Sequence, residues 1–176
     1  MNEKLAAQQS LLAAARRVSE SLPAFTTWLL AGTGAAFSLV VANIDQVSKF
    51  IEITHIRFGL VIFLISLGIA VVATYFSTII NAALATQEDT EALAKRINSS
   101  SEPFDVAIYI TEYKRGLLPH IRWISQSSME KAKNGDVVAG ARLIAKLSQI
   151  QALLVVVHSL LTLIAIGGLV IGLKMQ

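Results

Sequence analysis

Residues 147–173 read LSQIQALLVVVHSLLTLIAIGGLVIGL, a stretch of 27 residues without Asp, Glu, Lys or Arg. An α-helix rises about 1.5 Å per residue, so roughly 20 apolar residues cross a hydrocarbon core about 30 Å thick. A helix in a soluble bundle normally carries a charged outer stripe, and this stretch has none. The stretch therefore predicts a transmembrane helix.

Two further stretches have the same character. Residues 21–44 and 58–87 contain 24 and 30 residues, again without a charged side chain. Together the three stretches hold 81 of the 176 residues, so all 15 basic and 12 acidic residues lie elsewhere. We predict an all-α membrane protein with three transmembrane helices, at residues 23–44, 58–87 and 147–173.

Residues 88–146 form a polar insert between the second and third transmembrane helices. The apolar pattern of the second helix ends at Glu88 without Gly or Pro, so this helix is expected to continue to about Asn98. Pro103 then predicts the start of a short helix that ends at Gly116. Residues 106–111 within it, VAIYIT, also suit a strand.

Another short helix is predicted from Pro119 to Lys133, followed by a turn that ends at Asp136. Asp136 can cap the last helix, and no proline follows it in the chain. This helix is therefore expected to become the third transmembrane helix without interruption. The insert is predicted to be a cytoplasmic helical stalk, formed by extensions of helices 2 and 3 plus the two short helices.

The remaining segments are short. Residues 1–22 predict an N-terminal amphipathic arm at the membrane surface, because Leu5, Leu12 and Val18 recur at near-helical spacing. Ser21 and Pro23 predict a cap and a first turn that begin the first transmembrane helix. Residues 45–57 form a short external connection, and residues 174–176 an external tail.

The distribution of Lys and Arg predicts the orientation. The insert contains nine of them, the N-terminal arm three, the 45–57 connection two and the tail one. Basic residues beside membrane spans favour the cytoplasmic side. We therefore expect a multi-pass protein of a bacterial-type cell inner (plasma) membrane, with a cytoplasmic N-terminus and insert. The C-terminus is expected to be external, or periplasmic.

Each transmembrane helix contains small or weakly polar residues at alternating spacings of three and four. Close-packed membrane helices prefer such residues at their contacts, because small side chains let the backbones approach. The predicted helix-packing residues are Ala31, Gly34, Ser38, Ser66, Ala70, Ala73, Thr162, Ala165, Gly168 and Gly172. In the simplest interpretation these residues do nothing beyond packing the three helices on one another.

A candidate intramembrane polar site is formed by Gln151, His158 and Thr162 on one face of the third helix. An ionisable residue inside a bilayer is a functional candidate by default, and histidine titrates near neutral pH. The alternative is a neutral, structural histidine whose hydrogen bonds come from Ser or Thr on a neighbouring helix. The sequence favours the structural role, because neutral histidine is far cheaper to bury than a carboxylate or a lysine.

A second candidate site is a partner or lipid surface in the insert. Aromatic and Arg residues are enriched at protein interfaces, and basic residues also attract anionic lipid headgroups. The aromatic residues could equally form the core of the stalk. The residues of this candidate surface are Tyr109, Tyr113, Lys114, Arg115, Arg122 and Trp123.

The sequence predicts no enzyme activity. The chain has no cysteine, and its three histidines, His55, His120 and His158, fall in different segments without a metal-ligand motif. No phosphate-binding loop or Gly-x-Ser-x-Gly motif is present, so no cofactor is expected. The net charge of +3 is spread along the chain and does not indicate nucleic-acid binding.

The first functional hypothesis is a non-enzymatic membrane subunit that self-associates or docks a partner through the helix seams and the stalk. A homo-oligomeric pore or channel is the alternative. A membrane-bound regulator that binds a soluble protein through its stalk is the third hypothesis. Layout alone does not specify an activity.

Overall fold

The computed structural model describes residues 3–98 and 105–174 of the chain. Of these residues 89% are helical, and none forms a strand. The described helices are α1 (Glu3–Ala42), α2 (Ile44–Val47), α3 (Ile53–Asn98), α4 (Val106–Gly116), α5 (Pro119–Lys133) and α6 (Ala139–Ile171). The predicted all-α class is confirmed. Three helices are long and apolar enough to cross a membrane: α1, residues Ile53–Thr90 of α3, and α6.

Helix α1 begins well before Ser21 and Pro23, where the first long helix was predicted to start. It is continuous for 40 residues, and Pro23 lies inside it. Ser21 therefore caps no helix. Proline removes one backbone hydrogen bond and usually bends a helix, but apolar spans tolerate it where neighbouring groups compensate. After Pro23, Thr26 and Thr27 donate their hydroxyls to the carbonyls of Leu22 and Pro23, at 2.9 Å each, as Ser and Thr commonly do inside helices.

The contacts in the described structure divide the chain into two compact units. The apolar unit comprises Val18–Thr78 and Ile150–Gln176, and the insert unit comprises Met1–Arg17 and Ile79–Gln149. Each of the three long helices contributes to both units.

In the insert unit, the first residues of α1 contact helix α3. Ala15 is 1% exposed, and the Arg16 guanidinium forms an ion pair with the Glu88 carboxylate of α3. Both ends of this ion pair are solvent-exposed, so it contributes little to stability. These residues, predicted to form an N-terminal amphipathic arm, are the first turns of the 40-residue helix α1.

Helix boundaries elsewhere follow the local chemistry. Helix α3 ends at Asn98, as predicted, and its 46 residues correspond to roughly 69 Å at the usual rise per residue. Residues 106–111 belong to α4, which excludes the strand alternative, and the Asp105 carboxylate caps this helix by accepting from Ala107 and Ile108. The predicted start at Pro103 lies outside the described residues. Helix α5 begins with Pro119 in its first turn.

Asp136 caps the start of the last helix, as its position predicted. Its carboxylate accepts from the Val138 backbone N–H at 3.2 Å and from Arg142 at 2.7 Å. Gly135 precedes it with a φ of +87°, a left-handed conformation that glycine adopts without strain. Helix α6 then continues without a break to Ile171.

One end of the apolar unit is closed by a backbone contact between the α1–α3 connection and the C-terminal residues. Ile51 and Leu173 form an isolated antiparallel bridge. The Glu52 N–H donates to the Gly172 carbonyl at 2.9 Å, and the Lys174 N–H donates to the Phe50 carbonyl at 2.8 Å. The Lys174 ammonium also donates to the Ser48 carbonyl. We call residues 50–52 and 172–174 the terminal bridge.

Candidate functional site

The core of the apolar unit is built from one face of each long helix. The buried residues of α3 recur at alternating spacings of three and four, which is the pattern of left-handed helix packing. Helix α6 shows the same pattern. The buried residues of the two helices in this unit are Ile56, Gly59, Phe63, Ser66, Ala70, Ala73, Ser77, Gln151, Val155, His158, Thr162, Ala165, Gly168 and Gly172.

Glycines bring α3 and α6 close together. A Cβ atom placed at Gly59 would lie 3.0 Å from the Ala165 carbonyl oxygen, and one at Gly168 would lie 3.0 Å from the Phe58 ring. At Gly172 it would overlap the His55 side chain. These contacts show that the two helices run antiparallel.

Helix α1 joins this core through an aromatic contact. The rings of Phe37 and Phe63 stack with centroids 4.5 Å apart and planes 15° apart. Together with Ala165 of α6 they form a buried apolar cluster. We call Phe37 and Phe63 the aromatic seal.

The predicted helix-packing residues divide into two groups. On α3 and α6 they are buried: Ser66, Ala70, Ala73, Thr162, Ala165, Gly168 and Gly172. On α1 Gly34 is half-buried, and a Cβ atom placed there would lie 4.0 Å from the Phe63 ring, while Ala31 and Ser38 are exposed. Packing of α1 within the chain uses the neighbouring face, with Thr26, Thr33 and Phe37 buried.

A signal for that face was present in the sequence. Ser19, Thr26 and Thr33 recur every seven residues, and all three are buried. A seven-residue repeat keeps side chains on one seam of packed helices. Gly34 and Ser38, which were predicted to pack because they are small, lie one position after the buried Thr33 and Phe37.

The candidate polar site is centred on a contact between α3 and α6. The Ser66 Oγ lies 2.7 Å from the His158 Nδ1, 3.0 Å from the His158 carbonyl oxygen and 2.9 Å from the Thr162 Oγ1. The His158 Nδ1 is also 3.1 Å from the Ser66 carbonyl oxygen. All three residues are fully buried. Interhelical hydrogen bonds in membranes contribute about 0.6 kcal/mol each, and at most about 1.7.

The histidine tautomer is inferred from these distances. A carbonyl oxygen can only accept, so a hydrogen bond between the His158 Nδ1 and the Ser66 carbonyl, 3.1 Å apart, places the hydrogen of the neutral ring on Nδ1. The Ser66 hydroxyl donates its own hydrogen to the His158 carbonyl and accepts from Nδ1 and from Thr162. In the neutral ring Nε2 then carries a lone pair.

Two buried polar atoms of α6 have no hydrogen-bond partner within the described part of the chain: Nε2 of His158 and Oε1 of Gln151. Both residues are at most 1% exposed. The structure therefore brings Thr162 and His158 together through Ser66, whereas Gln151 lies two helical turns away from that contact. Buried polar atoms are nearly always satisfied by protein or by water.

The candidate surface of the insert unit is dispersed over α4 and α5. Tyr109 and Tyr113 stack with centroids 6.2 Å apart. Trp123 is 79% exposed, so it belongs to no core within the described residues. Arg115 pairs with Glu112, and Arg122 lies 3.4 Å from the Leu117 carbonyl oxygen. Lys114 is half-buried.

The architecture defines a class of protein: an all-helical bundle with three helices long and apolar enough to span a membrane, and small and polar residues in its core. Among residues 3–98 and 105–174, no group of three His, Cys, Asp or Glu side chains is placed to hold a metal ion. The chain matches no protein-family model, no curated protein and no solved structure.

Proposed function

We propose that the protein is a non-enzymatic, multi-pass membrane subunit that self-associates through the outer face of α1. The observation that carries this proposal is a difference in side-chain size between the outer faces of the three long helices. Lipid-facing positions favour large aliphatic residues, whereas helix contacts favour small ones.

The exposed residues of α3 and α6 within the spans are mostly large: Phe58, Val61, Leu64, Ile65, Val71, Leu153, Val156, Leu160, Leu163, Ile164 and Val170. The exposed residues of α1 within residues 18–42 include many small ones, Ala24, Thr27, Ala31, Gly32, Ala35, Ala36 and Ser38, beside four large ones, Phe25, Trp28, Leu39 and Val41. The most apolar window of α1 is also the least covered, with 17% of it buried against 33% for α3 and 28% for α6. A second copy of α1 fits such a surface.

Replacing Gly32 by Leu is expected to abolish self-association, and Gly68→Leu provides the matched control. A Cβ atom at either glycine meets no other atom within 4 Å, so both substitutions fit the single chain. Gly32 lies on the small-residue face of α1, whereas Gly68 lies among the large exposed residues of α3. The native mass of the detergent-solubilised particle measures the outcome.

We expect the wild type and Gly68→Leu to have a multiple of the 18.9 kDa chain mass, and Gly32→Leu to have that of one chain. A monomeric wild type would refute the proposal. If the oligomer persisted in Gly32→Leu and dissociated in Gly68→Leu, the contact between copies would lie on α3.

We propose further that the protein lies in a bacterial-type inner membrane with its N-terminus and insert in the cytoplasm. The nine Lys and Arg residues of the insert support this orientation. The terminal bridge is a second support, because it holds the α1–α3 connection and the C-terminal residues together. Both segments then lie on one side of the membrane.

Reporter fusions test the orientation. A fusion at Ser100, within the insert, is expected to give a cytoplasmic signal, and a fusion after Gln176 an external one. Two signals from the same side would exclude three membrane spans.

The insert is proposed to form a stalk from the ends of α3 and α6 together with α4 and α5. Large exposed apolar residues outside the spans support a docking role for it: Ile108, Leu118 and Trp123 are each more than 60% exposed. If a soluble protein binds there, the protein acts as a membrane-bound regulator. This third hypothesis is tested by comparing the soluble proteins that co-purify with the wild type and with Trp123→Ala.

A homo-oligomeric pore remains the alternative function. A single copy encloses its polar core residues between three helices, so a conducting path would have to form between copies. Conductance of the wild-type protein in liposomes, absent from Gly32→Leu, would favour the pore over a purely structural subunit.

A further inference from the structure

The core of the apolar unit is polar on one side of the aromatic seal and apolar on the other. The contacts between α3 and α6 set the order along the bundle: Gly59 meets Ala165, and Ser66 meets His158. Because the helices are antiparallel, Ala70, Ala73 and Ser77 follow on α3 at increasing distance from the seal, and Val155 and Gln151 follow on α6.

On the apolar side, between the aromatic seal and the terminal bridge, the buried residues are Ile56, Ala165 and three glycines, Gly59, Gly168 and Gly172. On the other side the buried residues, apart from Val155, are polar or small. They are Ser19, Thr26, Thr33, Ser66, Ala70, Ala73, Ser77, Gln151, Val155, His158 and Thr162. We call this second set the polar core.

Most polar groups in the polar core have partners. Thr26 and Thr33 donate to carbonyls of their own helix, and Ser66, Thr162 and the His158 Nδ1 bond to one another. The exceptions are Nε2 of His158 and Oε1 of Gln151. Both atoms belong to the polar core, and both residues lie on the inward face of α6.

We infer that water occupies the polar core and reaches Nε2 of His158, which makes this nitrogen a site of proton uptake. Water is the ligand that a buried amide oxygen and an imidazole lone pair share. Between the levels of His158 and Gln151 the buried side chains of α3 and α6 are those of Ala70, Ala73 and Val155. The stacked rings of Phe37 and Phe63 close the polar core toward the terminal bridge.

The His158 ring is held in the arrangement that proton uptake requires. Its Nδ1–H is anchored on the Ser66 carbonyl, so a proton added at Nε2 leaves that hydrogen bond intact. Residues 21–44, 58–87 and 147–173 contain no Asp, Glu, Lys or Arg. The other titratable side chain there is Tyr75, 45% exposed on α3. No counter-ion from these spans faces the ring.

Thiol accessibility tests the water path, because the chain contains no cysteine. The variants are Ser77→Cys and Gln151→Cys in the polar core, Ala165→Cys beyond the aromatic seal, and Leu163→Cys facing lipid. Each is exposed in sealed vesicles to a small, membrane-impermeant methanethiosulfonate, applied from one side at a time. Elution as the wild-type species shows that a variant is folded.

We expect the cysteines at 77 and 151 to react at least about tenfold faster than the one at 165. The cysteine at 163 is expected to resist the reagent from both sides. Equal, slow reaction at 151 and 165 would overturn the inference.

A second measurement uses the unaltered chain. In ¹⁵N-histidine-labelled protein in nanodiscs, the resonance lost in His158→Gln identifies His158. We expect the Nδ1–H tautomer and exchange of this hydrogen with solvent deuterium within minutes. A ring hydrogen that persists for hours, in protein whose other histidines have exchanged, would exclude water at His158 whatever the cysteine variants show.

Discussion

Replacing Gly172 by Leu is expected to lower the free energy of unfolding by about 1–3 kcal/mol, the usual cost of overpacking a close contact. A Cβ atom at this position would overlap the His55 side chain, at 2.7 Å from Cγ, and would lie 3.1 Å from the Ile51 Cγ2. Ile51 cannot move freely, because it belongs to the terminal bridge. The bridge is therefore expected to open.

The matched control is Gly167→Leu. Gly167 lies five residues earlier in the same chain segment, and a Cβ atom there meets nothing within 4 Å. Its melting temperature is expected to equal that of the wild type or to exceed it slightly, because leucine forms helix better than glycine does. Thermal unfolding of the detergent-solubilised proteins gives both values. Equal melting temperatures for the two variants would show that α6 does not pack closely on the start of α3.

Replacing Phe37 by Ala is expected to destabilise the apolar unit by about 2 kcal/mol. Phe→Ala in a close-packed core costs about 3–5 kcal/mol in soluble proteins. Lipid is as apolar as the helix core, so mainly the packing part of that cost remains in a membrane. Phe37 is 3% exposed and stacks on Phe63, which makes it the main contact of α1 with the apolar cluster.

Phe25→Ala is the control for this prediction. Phe25 belongs to the same helix and is 51% exposed, so its replacement is expected to change stability by less than about 0.5 kcal/mol. Denaturation in mixed micelles, followed by the loss of helical circular dichroism, measures both variants. If Phe25→Ala proved the more destabilising of the two, the inner face of α1 would have been assigned to the wrong side of the helix.

The three long apolar helices could be predicted from the sequence because the reason for them is local. A bilayer requires about 20 uncharged residues in a row whose backbone hydrogen bonds are all internal, and each of the three stretches meets that requirement by itself. The caps at Asp136 and the proline start of α5 are local for the same reason. The packing faces of α3 and α6 could be predicted in the same way, because small residues recur on one face of each helix.

The buried face of α1 could not be predicted from the sequence in this way. Two adjacent seams, one through Ala31 and one through Thr33, have similar composition, and the stacking of Phe37 on Phe63 selects between them. The prediction that a helix begins at Pro23 was also wrong. Proline by itself tends to interrupt a helix, but α1 continues through Pro23.

Hydropathy and charge along the chain predict the helical class, the apolar spans and a histidine within one of them. The partner of that histidine depends on how the helices pack. His158 and Ser66 are 92 positions apart in the chain and meet because α3 and α6 run antiparallel with glycines at their contact. The same pairing forms the terminal bridge and leaves two buried polar atoms of α6 without a partner among the described residues. Such contacts depend on the relative register of two helices, which no segment specifies alone.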